Sequence, residues 1–286
     1  MSDRVAVIGA GTIGLSWARL FLDHGLDVVA YDPAVPPGTH DQVEFAADVA
    51  GAVTGATFVQ ESGPERIELK RVLNAQIEAA VTASTIIASS TSGLLISDIQ
   101  SGTVHPERFV VGHPYNPPHL MPLVEVVGGS LTSEATVDAA MAFYAMLGRR
   151  PIRVRRELRG HIANRLQAAV WREAFSLVAT GAISVSDLDI AMSNGPGLRW
   201  ALLGVFLNLE ASGGAAGIAH TLDHLGPAIR DWADDLAAFP DDDDYVRPVI
   251  AGVADELAGK DMARILASRD ELLTMLIAAK KDTGLS

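Results

Sequence analysis

Residues 4–32 constrain this chain more than any other stretch. Residues 4–8 are a short apolar run, and Gly9-Ala10-Gly11-Thr12-Ile13-Gly14 follows at once. Residues 15–24 read as a helix ended by Gly25, and residues 27–31 form a second apolar run that stops at Asp32. The G-x-G-x-x-G spacing alone is a weak signal. Strand, glycine turn, helix, strand and acid in that order make it a strong one. Gly9 permits the tight turn, Gly11 lets a pyrophosphate approach the backbone, and Gly14 lets the helix pack closely on the strand. Thr12 and Ile13 sit in the same turn and are taken with the glycines as cofactor-binding residues. The helix N-terminus offers free N–H groups and a positive dipole end to the phosphates. Asp32 follows Gly14 by 18 residues and is placed to accept hydrogen bonds from a ribose diol. Its charge repels a 2′-phosphate, so NAD is expected rather than NADP. The competing reading is a glycine turn and a surface aspartate with no ligand.

Further along, residues 43–53 read as a helix, 57–60 as a strand, 67–80 as a helix and 85–88 as a buried strand. Strands at 109–112, 123–127 and 151–154 follow, with a helix over 133–147. Alternating strands and helices predict a Rossmann-type, doubly wound, mostly parallel sheet covered on both faces. The pattern changes near Arg155. Helices are expected at 160–180, 187–192, 200–209, 215–225, 228–236, 245–257 and 262–280, with an acidic linker at 241–244. The expected organisation is therefore an NAD-binding domain over 1–155 and an all-helical domain over 156–286. A sheet half with a cofactor and a helical half predict an active site in the cleft between them.

Residues 110–127, VVGHPYNPPHLMPLVEVV, carry the chemistry. β-Branched runs enter and leave. Pro114, Pro117, Pro118 and Pro122 exclude a regular helix or a central strand through the middle. The stretch reads as a stiff loop between two strands, with His113 at its mouth and Glu125 on the returning strand. A histidine oriented by a carboxylate is equipped to move one proton near neutral pH. Taken alone, the segment fits a capping histidine in a structural loop equally well.

Composition narrows the partners. The formal charge of the 286 residues is −13, and no run of Lys or Arg is long enough to follow a phosphate backbone, so nucleic acid is not expected. The acidity also argues against an anionic membrane surface. There is no cysteine, hence no disulfide framework and no thiolate chemistry. No leader pattern opens the chain, and no 18-residue apolar run occurs, so a cytoplasmic protein is expected. His220 and His224 share a helix face, but no third ligand accompanies them, so no metal site is assigned.

At GAGTIG (9–14), SSTSG (89–93), GHPYNPPHLMPLVEVV (112–127) and GHIANRLQ (160–167) together, the chain resembles the 3-hydroxyacyl-CoA dehydrogenase family over nearly its whole length. The resemblance implies a catalytic histidine at His113, in His-Pro-Tyr-Asn-Pro, and a partner glutamate at Glu125. It places the family's serine at Ser92, its asparagine at Asn164, and its cofactor-contacting glutamate and lysine at Glu65 and Lys70. It also implies a homodimer. Segments 60–70, 88–95, 110–117 and 195–204 are most similar to the branch acting on small polar 3-hydroxy acids such as L-carnitine, with the L-gulonate branch next. Two departures count against a CoA thioester. The CoA-specific members have Gly-Tyr-Pro-Met-Gly where this chain has Gly197-Leu198-Arg199-Trp200. They also carry a helical hairpin after the second strand, where this chain has only about ten loop residues.

The expected activity is reversible oxidation of a secondary alcohol, with His113 as general base, Glu125 orienting it, and Ser92 and Asn164 bonding the substrate oxygen. Asn116, Arg199 and Trp200 are the substrate-side candidates. A guanidinium at Arg199 can hold a carboxylate by two parallel hydrogen bonds, and Trp200, Tyr115 or Phe143 can face a quaternary ammonium. A salt bridge at Arg199 and core packing of the aromatics remain open. The alternatives are a 3-hydroxyacyl-CoA or L-gulonate dehydrogenase and, in another class, a non-catalytic NAD-binding protein.

Overall fold

A computed structural model describes residues 4–38, 42–238 and 245–285. The chain forms two compact units, Met1–Arg165 and Leu166–Ser286.

The first unit is built on eight strands, β1 (Arg4–Ile8), β2 (Asp27–Tyr31), β3 (Glu44–Phe45), β4 (Phe58–Glu61), β5 (Ile86–Ser89), β6 (Phe109–Pro114), β7 (Leu123–Gly128) and β8 (Arg150–Val154). They lie in the order β3-β2-β1-β4-β5-β6-β7-β8. All neighbours are parallel except β6 and β7, which form an antiparallel pair. The central strands are mostly apolar and buried on both faces, as parallel strands under helices must be. Strand order reverses between β1 and β4, which opens a crevice at their carboxyl ends.

Two apolar clusters cover the two faces. One joins the sheet to α1 (Thr12–Asp23) and α5 (Glu134–Met146) through Trp17, Phe21, Ala140 and Tyr144. The other joins it to α2 (Val49–Val53), α3 (Ile67–Ala80) and α4 (Ile96–Ile99) through Val49, Ala52, Ile77, Ile96 and Ile99. Residues 43–53 are therefore not one helix. Glu44 and Phe45 pair with β2, and Asp48 then caps α2 by accepting from the Gly51 N–H at 2.7 Å. Phe143, a candidate for an ammonium contact, stacks on Phe58 with ring centroids 3.9 Å apart.

The second unit is helical: α6 (Ala163–Ala179, which starts in the first unit), α7 (Val185–Asn194), α8 (Pro196–Ser212), α9 (Gly217–Asp235), α10 (Val246–Glu256) and α11 (Met262–Thr283). The helix carrying Arg199 begins at Pro196, earlier than expected, because proline is accommodated in a first turn where its missing N–H has no partner to lose. α9 runs through Pro227 as one helix where two were expected. α6, α8, α10 and α11 bury no residue, and Phe206, Ile250 and Leu272 are 74%, 63% and 64% exposed. The acidic stretch 241–244 and residues 39–41 lie outside the described residues. Among those described, no single helix is long and apolar enough to cross a membrane.

Candidate active site

The glycine turn comes first because it sets where a dinucleotide can lie. Gly9 has φ 94°, and a Cβ there would meet the Ser62 carbonyl carbon at 2.6 Å. A Cβ on Gly14 would come within 1.8 Å of the Gly9 oxygen. A Cβ on Gly11 would meet nothing within 4 Å, so this glycine faces open space. Gly11 is also the N-cap of α1, with no side chain bonded to the first turn, so the N–H groups there stay available to phosphate oxygens. Asp32, at the end of β2, accepts from the Ala10 N–H at 2.8 Å and the Ala34 N–H at 2.9 Å. A cavity of about 490 Å³ runs over these groups, lined also by Tyr31, Ser62, Gly63 and Leu73. An open cradle at Gly11, free N–H groups and a carboxylate at the second strand fit NAD.

Register makes the second feature. β6 and β7 pair His113 directly with Glu125, so the two side chains stand on one face of the sheet. His113 Nδ1 lies 2.8 Å from Glu125 Oε2. Glu125 Oε1 accepts from the N–H groups of Ile162, at 2.8 Å, and Ala163, at 3.0 Å, where α6 begins. Burial by itself raises the Glu125 carboxyl. The bonds from His113, Ile162 and Ala163 outweigh it and hold the group below the usual carboxylate range. An ionised Glu125 can only accept, so His113 Nδ1 carries a proton, and in the neutral form of the ring Nε2 holds the lone pair. Burial and the Glu125 charge both raise the Tyr115 phenol, which stays protonated.

A third group gathers at the carboxyl ends of β4 and β5. Glu65 Oε1 accepts from the Thr91 hydroxyl at 2.6 Å and from the N–H groups of Ser92 and Gly93, both at 3.0 Å. Burial opposes ionisation of Glu65, but the Thr91 hydroxyl, the Lys70 ammonium and these N–H groups hold its carboxyl low. Lys70 is 1% exposed and donates to both Glu61 oxygens at 2.9 Å and to the Gly63 oxygen at 3.2 Å. Glu61 also accepts from the Ser89 hydroxyl at 2.6 Å. This buried ion pair thus underpins the Ser62–Gly63 wall of the cavity. Asn164 Nδ2 donates to the Ser92 oxygen at 3.1 Å, which ties the start of α6 to the same loop.

The first unit therefore brings together His113, Glu125, Ser92, Asn164, Glu65 and Lys70. Asn116 is exposed on the proline loop. Arg199 and Trp200 belong to the second unit, where both are exposed near the start of α8. Among the described residues no group of three or more His, Cys, Asp or Glu side chains could hold a metal ion.

Sequence reasoning missed two residues here. Glu61 closes an apolar strand, and a carboxylate in that place was a signal of buried pairing. His161 lies 5.1 Å from His113, ring centroid to centroid, and its Nε2 is 2.9 Å from the Thr91 oxygen.

Comparison with known proteins shows the family to which the chain belongs. The model of the 3-hydroxyacyl-CoA dehydrogenase NAD-binding domain matches residues 4–36 and 37–158, and that of the C-terminal domain matches 160–237. The chain is 43% identical to L-carnitine dehydrogenase of Streptomyces griseus over 93% of its own length and 87% of that protein. It is 40% identical to L-carnitine dehydrogenase of Pseudomonas putida over 98% of this chain and 95% of that one. The solved structure of 5-formyl-3-hydroxy-2-methylpyridine 4-carboxylic acid 5-dehydrogenase, an NAD+-dependent dismutase, superposes with a TM-score of 0.82. Its identity is 28%, and 98% of this chain and 99% of that chain are covered.

Proposed function

The chain belongs to the 3-hydroxyacyl-CoA dehydrogenase family, and from that premise we propose that it oxidises the secondary alcohol of a small polar 3-hydroxy acid of the L-carnitine type. It is an NAD-dependent hydroxy acid dehydrogenase. The observation that carries the finer reading is the 2.8 Å bond between His113 Nδ1 and Glu125 Oε2, inside the unit that binds the dinucleotide.

His113 Nε2 takes the hydroxyl proton of the substrate. Glu125 keeps the ring in the Nδ1–H tautomer and stabilises the imidazolium as it forms. Ser92 and Asn164 bond the substrate oxygen while charge builds there. Bound NAD+ supplies the electron-pair acceptor of the oxidation. In the reverse direction His113 returns the proton to the carbonyl oxygen.

The substrate assignment rests on relatives about 40% identical along almost the full chain, and on Arg199 as the cation for a carboxylate. Asn116 and Trp200 complete the substrate side of the proposal. A cytoplasmic homodimer formed through the helical unit belongs to it as well.

NADH formation at alkaline pH with L-carnitine, L-gulonate, 3-hydroxybutyrate and 3-hydroxybutyryl-CoA tests the reading. We expect turnover of a free acid, L-carnitine first, and a higher KM for it in Arg199→Met. Preference for the thioester would assign the chain to the CoA-dependent activity instead.

A further inference from the structure

The turn between β8 and α6 donates to Glu125, lies beside His113 and bonds the loop that carries Ser92, and His161 belongs to it. Its φ is 47°, making it the one non-glycine residue of positive φ among the described residues. A side chain in that conformation persists only where its surroundings over-determine it. Here the turn delivers two successive N–H groups, of Ile162 and Ala163, to Glu125 Oε1. The ring is 1% exposed. Its Nε2–H donates to the Thr91 oxygen at 2.9 Å, in the loop that carries Ser92, and its face lies beside His113. Asn164, three residues on, holds the same loop through the Ser92 oxygen. Burial keeps the His161 imidazole below its ordinary range, against the pull of the Thr91 carbonyl, so the ring is neutral. Its Nδ1 is then a buried acceptor that meets no donor among the described residues. A strained backbone and an unfilled acceptor in one residue are costs that packing alone does not explain.

We propose that His161 is a positioning residue for proton transfer by His113. Its left-handed backbone fixes the grip on Glu125, and its ring sets the Ser92 loop against the His113 imidazole. The inference deepens the function proposed above and rests on it for its kinetic arm.

Three variants separate ring from backbone. His161→Phe keeps a ring without a donor. His161→Gly keeps the left-handed turn without a ring. His161→Asn suits the turn and offers an amide donor. In the Phe and Gly variants we expect kcat to fall by about tenfold or more, as for a reacting group displaced by a fraction of an ångström. Affinity for NADH, read from its fluorescence, stays at the wild-type value in all three, and Asn recovers part of kcat. A readout that needs no substrate is the NMR resonance of the His113 Nδ1–H, which the bond to Glu125 shifts downfield. We expect it to broaden or move in the Phe and Gly variants. Wild-type kcat with an unchanged His113 resonance in those two variants, and only a lower melting temperature, would overturn the proposal. Should Phe not fold, Gly carries the same comparison, because it removes the backbone strain. If no hydroxy acid is turned over by the wild type, the functional reading fails, and the resonance alone decides the role of His161.

Discussion

At the scale of single residues, ionised Glu125 ties the fold to the chemistry. It faces His113 on one side and two backbone N–H groups on the other. Its folded pKa lies below the ordinary value, so its contribution to stability is complete above the unfolded-state carboxylate pKa. That contribution is lost as pH falls through the folded one. Glu125→Gln keeps the shape and removes the charge. We expect it to lower stability at neutral pH by roughly 1–3 kcal/mol, the worth of a charge-assisted bond, and to flatten the acid-side decline. Thermal melts of both proteins from neutral pH down through the carboxylate range check this. Equal slopes on the acid side would show that Glu125 is not the group being protonated. The sequence reads as two β-branched strands around a proline loop, with His113 at its mouth and Glu125 on the returning strand, but the face-to-face pairing follows from the antiparallel register of β6 and β7, which the sequence does not announce. His161 was not legible either, because nothing in Gly-His-Ile-Ala announces a left-handed backbone at a residue with a side chain.

At the scale of elements, periodicity placed the strands and helices that are long or buried. It failed where pairing or context decides. β3 is two residues long and exists through its bonds to β2, so it has no period to read. The two helices expected on either side of Pro227 are one, α9. The glycine turn offers a sharper test of how an element makes a site. Gly14→Ala drives a methyl against the Gly9 carbonyl, so it should destabilise or unfold the first unit. Gly11→Ala meets no protein atom, so it should melt like the wild type yet bind NAD+ about tenfold more weakly or worse, because the methyl stands where phosphate oxygens approach. Calorimetry for the melting temperature and NADH fluorescence for affinity distinguish the two. Undiminished affinity in Gly11→Ala would place the pyrophosphate elsewhere.

At the scale of the whole molecule, the two units differ in how they bury apolar surface. The first covers both faces of its sheet. The second leaves large side chains such as Phe206, Trp232, Ile250 and Leu272 in contact with solvent. Exposed apolar faces on this scale suit the proposed homodimer contact. We expect light scattering to return twice the mass of one chain, and Phe206→Glu to shift it towards one. A monomer at micromolar concentration would contradict the dimer. The dinucleotide cradle and the His113–Glu125 pair both lie within Met1–Arg165, so binding of NAD+ and proton transfer can be separated by one substitution. That makes His113→Asn the most direct measurement of all: kcat on the preferred hydroxy acid, with the NAD+ dissociation constant measured beside it. We expect kcat to drop by about 10²–10⁴-fold with the dissociation constant unchanged. A variant that keeps its turnover would remove His113 from the reaction and the proposed mechanism with it.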